Sequence, residues 1–165
     1  MSDIFTFEFE GAHFQAEIAH DAFMGAPWDE HDGHGIVSEW TDRPKEAGEL
    51  VLVTDGRRSR YYDFAASCAR ALAEGWDAKP YNTGQETKRQ QAAKAARADY
   101  EHLRAWCADE WQWVGVIVTP LCDCCGTPDD SRAESLWGIE SGDSAYLEEV
   151  ARELAGQVAP KELAA

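Results

Sequence analysis

The chain has 165 residues, is 44% hydrophobic, contains seven Trp and carries a formal net charge of −16. Its aromatic content argues against a disordered acidic tail, and its length suits one globular domain over residues 1–160 with a frayed tail over 161–165. The charge argues against direct DNA binding over most of the surface and favours basic protein partners, most strongly at low salt.

The acidity is uneven. Residues 1–50 hold 12 Asp+Glu against 2 Lys+Arg, residues 51–105 hold 7 against 10, and residues 106–165 hold 12 against 3. Five cysteines, an odd number with no charged-then-apolar leader before them, point to a reducing compartment and not to a secreted disulfide framework. No apolar run reaches the ~18 residues of a membrane helix, so a cytosolic protein with no membrane contact is expected.

In chain order, Ile4 to Phe9 alternates, with Phe5, Phe7 and Phe9 on one face. Phe14, Ala16 and Ile18 repeat the pattern after Gly11-Ala12. This predicts a β-hairpin with one buried face, and places His13 on the wet one. A segment without periodicity then runs to about Pro44; its tryptophans and Ile36 predict an ordered, Ω-like excursion. Glu49 to Thr54 and Arg57 to Tyr62 flank Asp55-Gly56 as a second hairpin. Asp63 then caps a helix with Phe64, Cys68 and Leu72 as its stripe, stopped by Gly75.

Lys79 to Gly84 reads as a connection, with Thr83 capping a long helix from Gln85 to about Ala108. Its seam is Ala93, Ala96, Tyr100, Leu103 and Cys107, and Lys94, Arg97, Glu101 and Arg104 share the other face. Trp111 to Thr119 is apolar on both faces, which marks a central strand ended by Pro120. Glu134 to Glu140 is its partner strand. A final helix follows Ser141-Gly142-Asp143-Ser144, with Leu147, Val150, Leu154 and Val158 buried. The order predicts an α+β fold: an antiparallel or mixed β-sheet with about three helices packed on it.

The stretch Pro27 to Trp40, PWDEHDGHGIVSEW, concentrates reactive side chains in a loop. Asp29, Glu30, Asp32 and Glu39 form an acidic binding surface with Trp28 and Trp40 as its anchors, since interface energy concentrates in buried aromatics. The rival reading is a metal site. His31, Asp32 and His34, with Asp29, are ligand types for zinc or manganese, and a bound water would make the loop a hydrolase or nuclease centre. Cys122, Cys124 and Cys125 (CDCCG) form a second candidate metal cluster, without the second Cys pair of a zinc knuckle. Phosphate-loop, nucleophile-elbow and dinucleotide fingerprints are lacking, so the chain leans away from enzymes, and the leading reading needs no cofactor.

Four strings, PWDEHDGHGIVSEWT, RYYDFAASCARAL, the run from Asp99-Tyr100 to Thr119 and SLWGIESGDSAYLEEVARELA, carry a resemblance. They resemble a family of small acidic proteins from tailed bacteriophages and prophages, over most of Pro27 to Val158 and without the CDCC segment. The resemblance implies the cytoplasm of a bacterial host and assigns no catalytic residues. Small acidic phage proteins of this kind resemble anti-restriction and anti-CRISPR inhibitors, some of which mimic DNA by arraying carboxylates. The expected function is therefore non-enzymatic binding to a host or phage protein with a basic nucleic-acid-binding surface.

Overall fold

In the computed structural model, which describes residues 3–77 and 83–158, the chain divides into two compact units. One comprises the residues up to Met24 together with those from Trp111 onward; the other is Gly25–Glu110, inserted between them in sequence. Two antiparallel sheets and four α-helices among the described residues make the fold α+β.

The first unit grows from the phenylalanine alternation. Strands β1 (Asp3–Phe9) and β2 (Ala12–His20) pair through Glu10-Gly11, both at positive φ (51° and 80°), a turn whose twist suits a two-residue hairpin. β2 pairs with β6 (Trp113–Pro120), and β6 with β7 (Glu134–Glu140), giving the order β1-β2-β6-β7. β6 is buried along nearly its whole length, as a run apolar on both faces requires.

Phe14, Ala16, Val114, Val116, Val118 and Ile139 on this sheet meet Leu147, Val150, Ala151, Leu154, Ala155 and Val158 of α4 (Ser144–Val158). Each large buried side chain contributes about 1.5–3 kcal/mol. Asp143 Oδ1 accepts from Tyr146 N at 3.1 Å at the head of α4. At the end of β2, the 6%-exposed Asp21 accepts from Phe23 N and Gly138 N, at 3.0 and 3.2 Å, and leaves the Phe23 ring 99% exposed.

In the second unit, β4 (Glu49–Asp55) and β5 (Arg58–Asp63) form the expected hairpin, with Gly56 at φ 59°. A two-residue strand, β3 (Ile36–Val37), adds to the other edge of β5. α2 (Phe64–Glu74) follows at once. Asp63 caps it, accepting from Ala66 N at 2.9 Å, and Gly75 ends it in the left-handed conformation. α3 (Lys88–Cys107) packs on α2, and Leu52, Tyr62, Tyr100 and Leu103 form the core.

Several expectations need correction here. The segment after Pro27 is not wholly irregular: it holds the four-residue helix α1 (Pro27–Glu30) and β3. α3 starts at Lys88 and not Gln85. Its cap is Thr87, which accepts from Gln90 N while the Gln90 side chain accepts from Thr87 N; this reciprocal box outcompetes the cap expected at Thr83. Thr83 instead hydrogen-bonds Glu86. The buried stripe of α2 is Ser67 and Ala71, with Phe64 and Cys68 half-buried and Leu72 41% exposed, because Ser67 is turned inward to bridge Asp63 O and Ile36 N. Most of the Lys79–Gly84 connection and the tail over 161–165 lie outside the described residues.

Candidate functional site

The 27–44 segment belongs to the second unit, and two half-buried devices hold it. The first is Asp99 of α3, whose side chain is only 10% exposed. Its Oδ1 accepts from His34 Nδ1 at 2.7 Å; its Oδ2 accepts from Gly35 N at 2.7 Å and from Tyr62 OH at 2.8 Å. Charge-assisted bonds of this length are the strong ones, and here they join helix, loop and strand β5. Gly35 is obligatory: a Cβ there would sit 2.2 Å from the hydroxyl oxygen of the fully buried Tyr62. Burial holds the Tyr62 phenol well above its usual range, so it stays a proton donor to the carboxylate.

The second device is Arg60 of β5. Its guanidinium lies 5.5 Å from the ring centroids of both Trp28 and Trp40, and it donates to Ser38 O at 3.1 Å. Trp28 also meets Trp106 edge-on at 5.5 Å, with its indole N–H enclosed and without a hydrogen-bond partner among the described residues. The two tryptophans expected as interface anchors therefore close on an arginine of their own unit. At the far end, Arg43 grips Glu49 with two hydrogen bonds, at 2.8 and 2.5 Å, holding the Glu49 carboxyl down at about 2.

Between these anchors the chain turns its carboxylates outward. Asp29, Glu30, Asp32 and Glu39 are all exposed. The Glu39 side chain is 94% exposed and approaches Arg60 at 3.7 Å, too exposed to be neutralised strongly. Glu30 also accepts from Gly25 N at 2.8 Å. Charge in this unit is segregated: residues 25–50 hold 7 Asp+Glu against 2 Lys+Arg, and residues 51–110 hold 9 against 10.

The metal set expected from His31, Asp32, His34 and Asp29 does not assemble. His34 turns to Asp99, and His31 and Asp32 stay exposed on the other side of Gly33. Among the described residues, the only group of three or more ligand types with donor atoms within 4.8 Å of one another is Cys122, Cys124 and Cys125, in the first unit. That cluster is a candidate metal site by proximity of its donor atoms, and its sulfurs suit zinc better than manganese. Hydrogen bonding from Thr127 lowers the Cys125 thiol to about 7, and Cys122 raises that of Cys124.

Cys68 and Cys107, expected as core thiols, are half-buried and raised by burial, Cys107 to about 11. They are therefore poor nucleophiles.

A His–carboxylate pair is also half of a catalytic triad, but the rest is not here. Among the described residues His34 contacts Asp99 and stacks on the His102 ring at 6.3 Å, and no hydroxyl or thiol hydrogen-bonds to it. The pair reads as a latch.

Asp99 and Arg60 were not singled out from sequence. Asp99 did leave a signal, a carboxylate between the seam positions Ala96 and Leu103 of an amphipathic helix. Arg60 left none, since its partners are set by strand pairing. No family model, curated protein or solved structure matches this chain.

Proposed function

We propose that this chain is a phage- or prophage-encoded accessory protein that acts by binding. In this reading Asp29, Glu30, Asp32 and Glu39 engage a basic nucleic-acid-binding surface on a host defence complex, in the manner of anti-restriction or anti-CRISPR inhibitors. The observation that supports it most is the combination of a doubly anchored segment with outward carboxylates. Asp99 and Arg60 order the backbone in advance, so a partner meets fixed charges and little ordering entropy opposes association.

The strongly acidic first unit, with 15 Asp+Glu against 3 Lys+Arg, adds long-range attraction that steers a cationic partner. The phage setting comes from the sequence resemblance and belongs to the same proposal.

The test is capture from lysates of phage-infected bacteria on immobilised wild-type chain and on the D29N/E30Q/D32N/E39Q variant. The expected result is a nucleic-acid-binding complex retained by wild type alone and released by added duplex DNA or raised salt. Retention indifferent to both the four substitutions and DNA would overturn the reading.

A further inference from the structure

The turn joining β6 to β7 gathers three of the five cysteines. Cys122 N donates to Thr127 O at 2.9 Å and Gly126 N to Cys122 O at 2.7 Å, while Leu121 bridges Pro128. Gly126, at φ 69°, lets the chain reverse tightly enough for this closure. The closure brings donor sulfurs of Cys122, Cys124 and Cys125 within 4.8 Å of one another, and Cys122 Sγ lies 2.8 Å from Cys124 Sγ. The three lie within four consecutive positions, and the turn leaves Cys124 and Cys125 exposed to incoming ions.

At a metal–sulfur distance of ~2.3 Å, three ligand sulfurs stand roughly 3.7–4.0 Å apart. The three sulfurs, all within 4.8 Å of one another and with Cys122 Sγ and Cys124 Sγ 2.8 Å apart, bracket that spacing. Its surroundings are anionic: Asp123 lies inside the turn, and Asp129 and Asp130 follow it.

We propose that the Cys122–Cys125 turn is a three-thiolate site for a thiophilic closed-shell cation, copper(I) or zinc(II). Three sulfurs complete a trigonal shell for copper(I), whereas zinc(II) takes the same three and leaves its fourth tetrahedral position to water. On binding, each ligating thiol releases its proton to solvent and the oxidation state of the metal is unchanged. The proposal is independent of the acidic binding surface, which lies in the other unit, so either can fail alone.

The test uses the reduced full chain under anaerobic conditions. It is titrated with copper(I) or with zinc(II), each against a chromogenic chelator of known affinity, and bound metal is counted by elemental mass spectrometry. About one ion per chain is expected, with a sulfur-to-metal charge-transfer band in the ultraviolet and a three-sulfur shell by X-ray absorption. The preferred metal is the one held at the higher chelator concentration. C122S, C124S and C125S should each weaken binding at least about tenfold, the scale at which even indirect partners of a metal count.

The C68S/C107S variant should bind as wild type does. Far-UV circular dichroism of the three single variants should match wild type, because the turn is at the surface. Absence of bound metal, or metal retained by the C122S/C124S/C125S triple variant, would each overturn the proposal.

Discussion

Replacing Asp99 by alanine removes the acceptor for three hydrogen bonds in one step. Bonds to a charged group contribute about 1.5–3 kcal/mol each, but these three do not simply add. The His34 ring is 16% exposed and recovers a bond to water, and Tyr62 OH keeps Ala96 O at 3.1 Å. Gly35 N–H, on a buried residue, is left without a partner, which alone costs about 1–3 kcal/mol. The net expectation for Asp99→Ala is a loss of about 2–4 kcal/mol, or a fall in Tm of about 5–15 °C for a chain of this length.

Asp99→Asn keeps one acceptor and turns an amide N–H toward the remaining donors, so it should fall between wild type and alanine. Urea and thermal unfolding give the magnitude, and hydrogen exchange at the Gly35 and Ile36 amides shows whether the loss is local to the 27–44 segment. If both variants stay within about 0.5 kcal/mol of wild type and those amides exchange unchanged, Asp99 is not the latch.

Two glycines should respond differently to the same change. Gly35→Ala drives a Cβ into the fully buried Tyr62 and should cost about 1–3 kcal/mol by chemical denaturation. Gly115→Ala meets the Trp137 ring at 2.2 Å, but Trp137 is 45% exposed and swings out. Its indole fluorescence should therefore shift with little change in stability. Glu49 carries a pH signature. Its folded pKa, about 2, lies below the unfolded value, so the Arg43–Glu49 pair stabilises the fold at neutral pH and that contribution is lost as pH falls toward 2. Glu49→Gln should flatten the stability curve between about pH 4.5 and 2 and leave its slope above about pH 5 unchanged.

Elements with strong periodicity were legible in the sequence. Phe5, Phe7 and Phe9, the Asp55-Gly56 turn, the Asp63 cap with Gly75, and the doubly apolar run up to Pro120 each combine a pattern with a stop signal. What failed were choices between neighbouring signals of similar strength: Thr83 against Thr87, and Leu72 against Ala71 as the inward residue of α2. A local capping box, Thr87 with Gln90, decided the first, and a tertiary hydrogen bond from Ile36 N to Ser67 decided the second.

The candidate site divides in the same way. Composition marked the 27–40 stretch and its carboxylates are exposed, but the roles within it depended on partners far along the chain. His34 reads as a ligand in the string HDGH, yet Asp99, 65 positions on, claims it. Trp28 and Trp40 read as anchors for a partner, and Arg60 occupies the space between them.

Whether a fixed acidic segment or net charge alone binds the partner is resolved by comparing two variants that each lose four negative charges. D29N/E30Q/D32N/E39Q neutralises the candidate surface. D130N/E134Q/E149Q/E153Q removes the same charge from exposed positions of the first unit. Affinity for the captured complex is measured for both at two salt concentrations. At a few tenths to 1 kcal/mol per exposed charge, the first variant should bind about tenfold or more weakly and lose much of the salt dependence, while the second should weaken binding severalfold less, through slower association alone. Equal weakening by the two variants would mean that net charge, and not the 27–40 segment, does the binding.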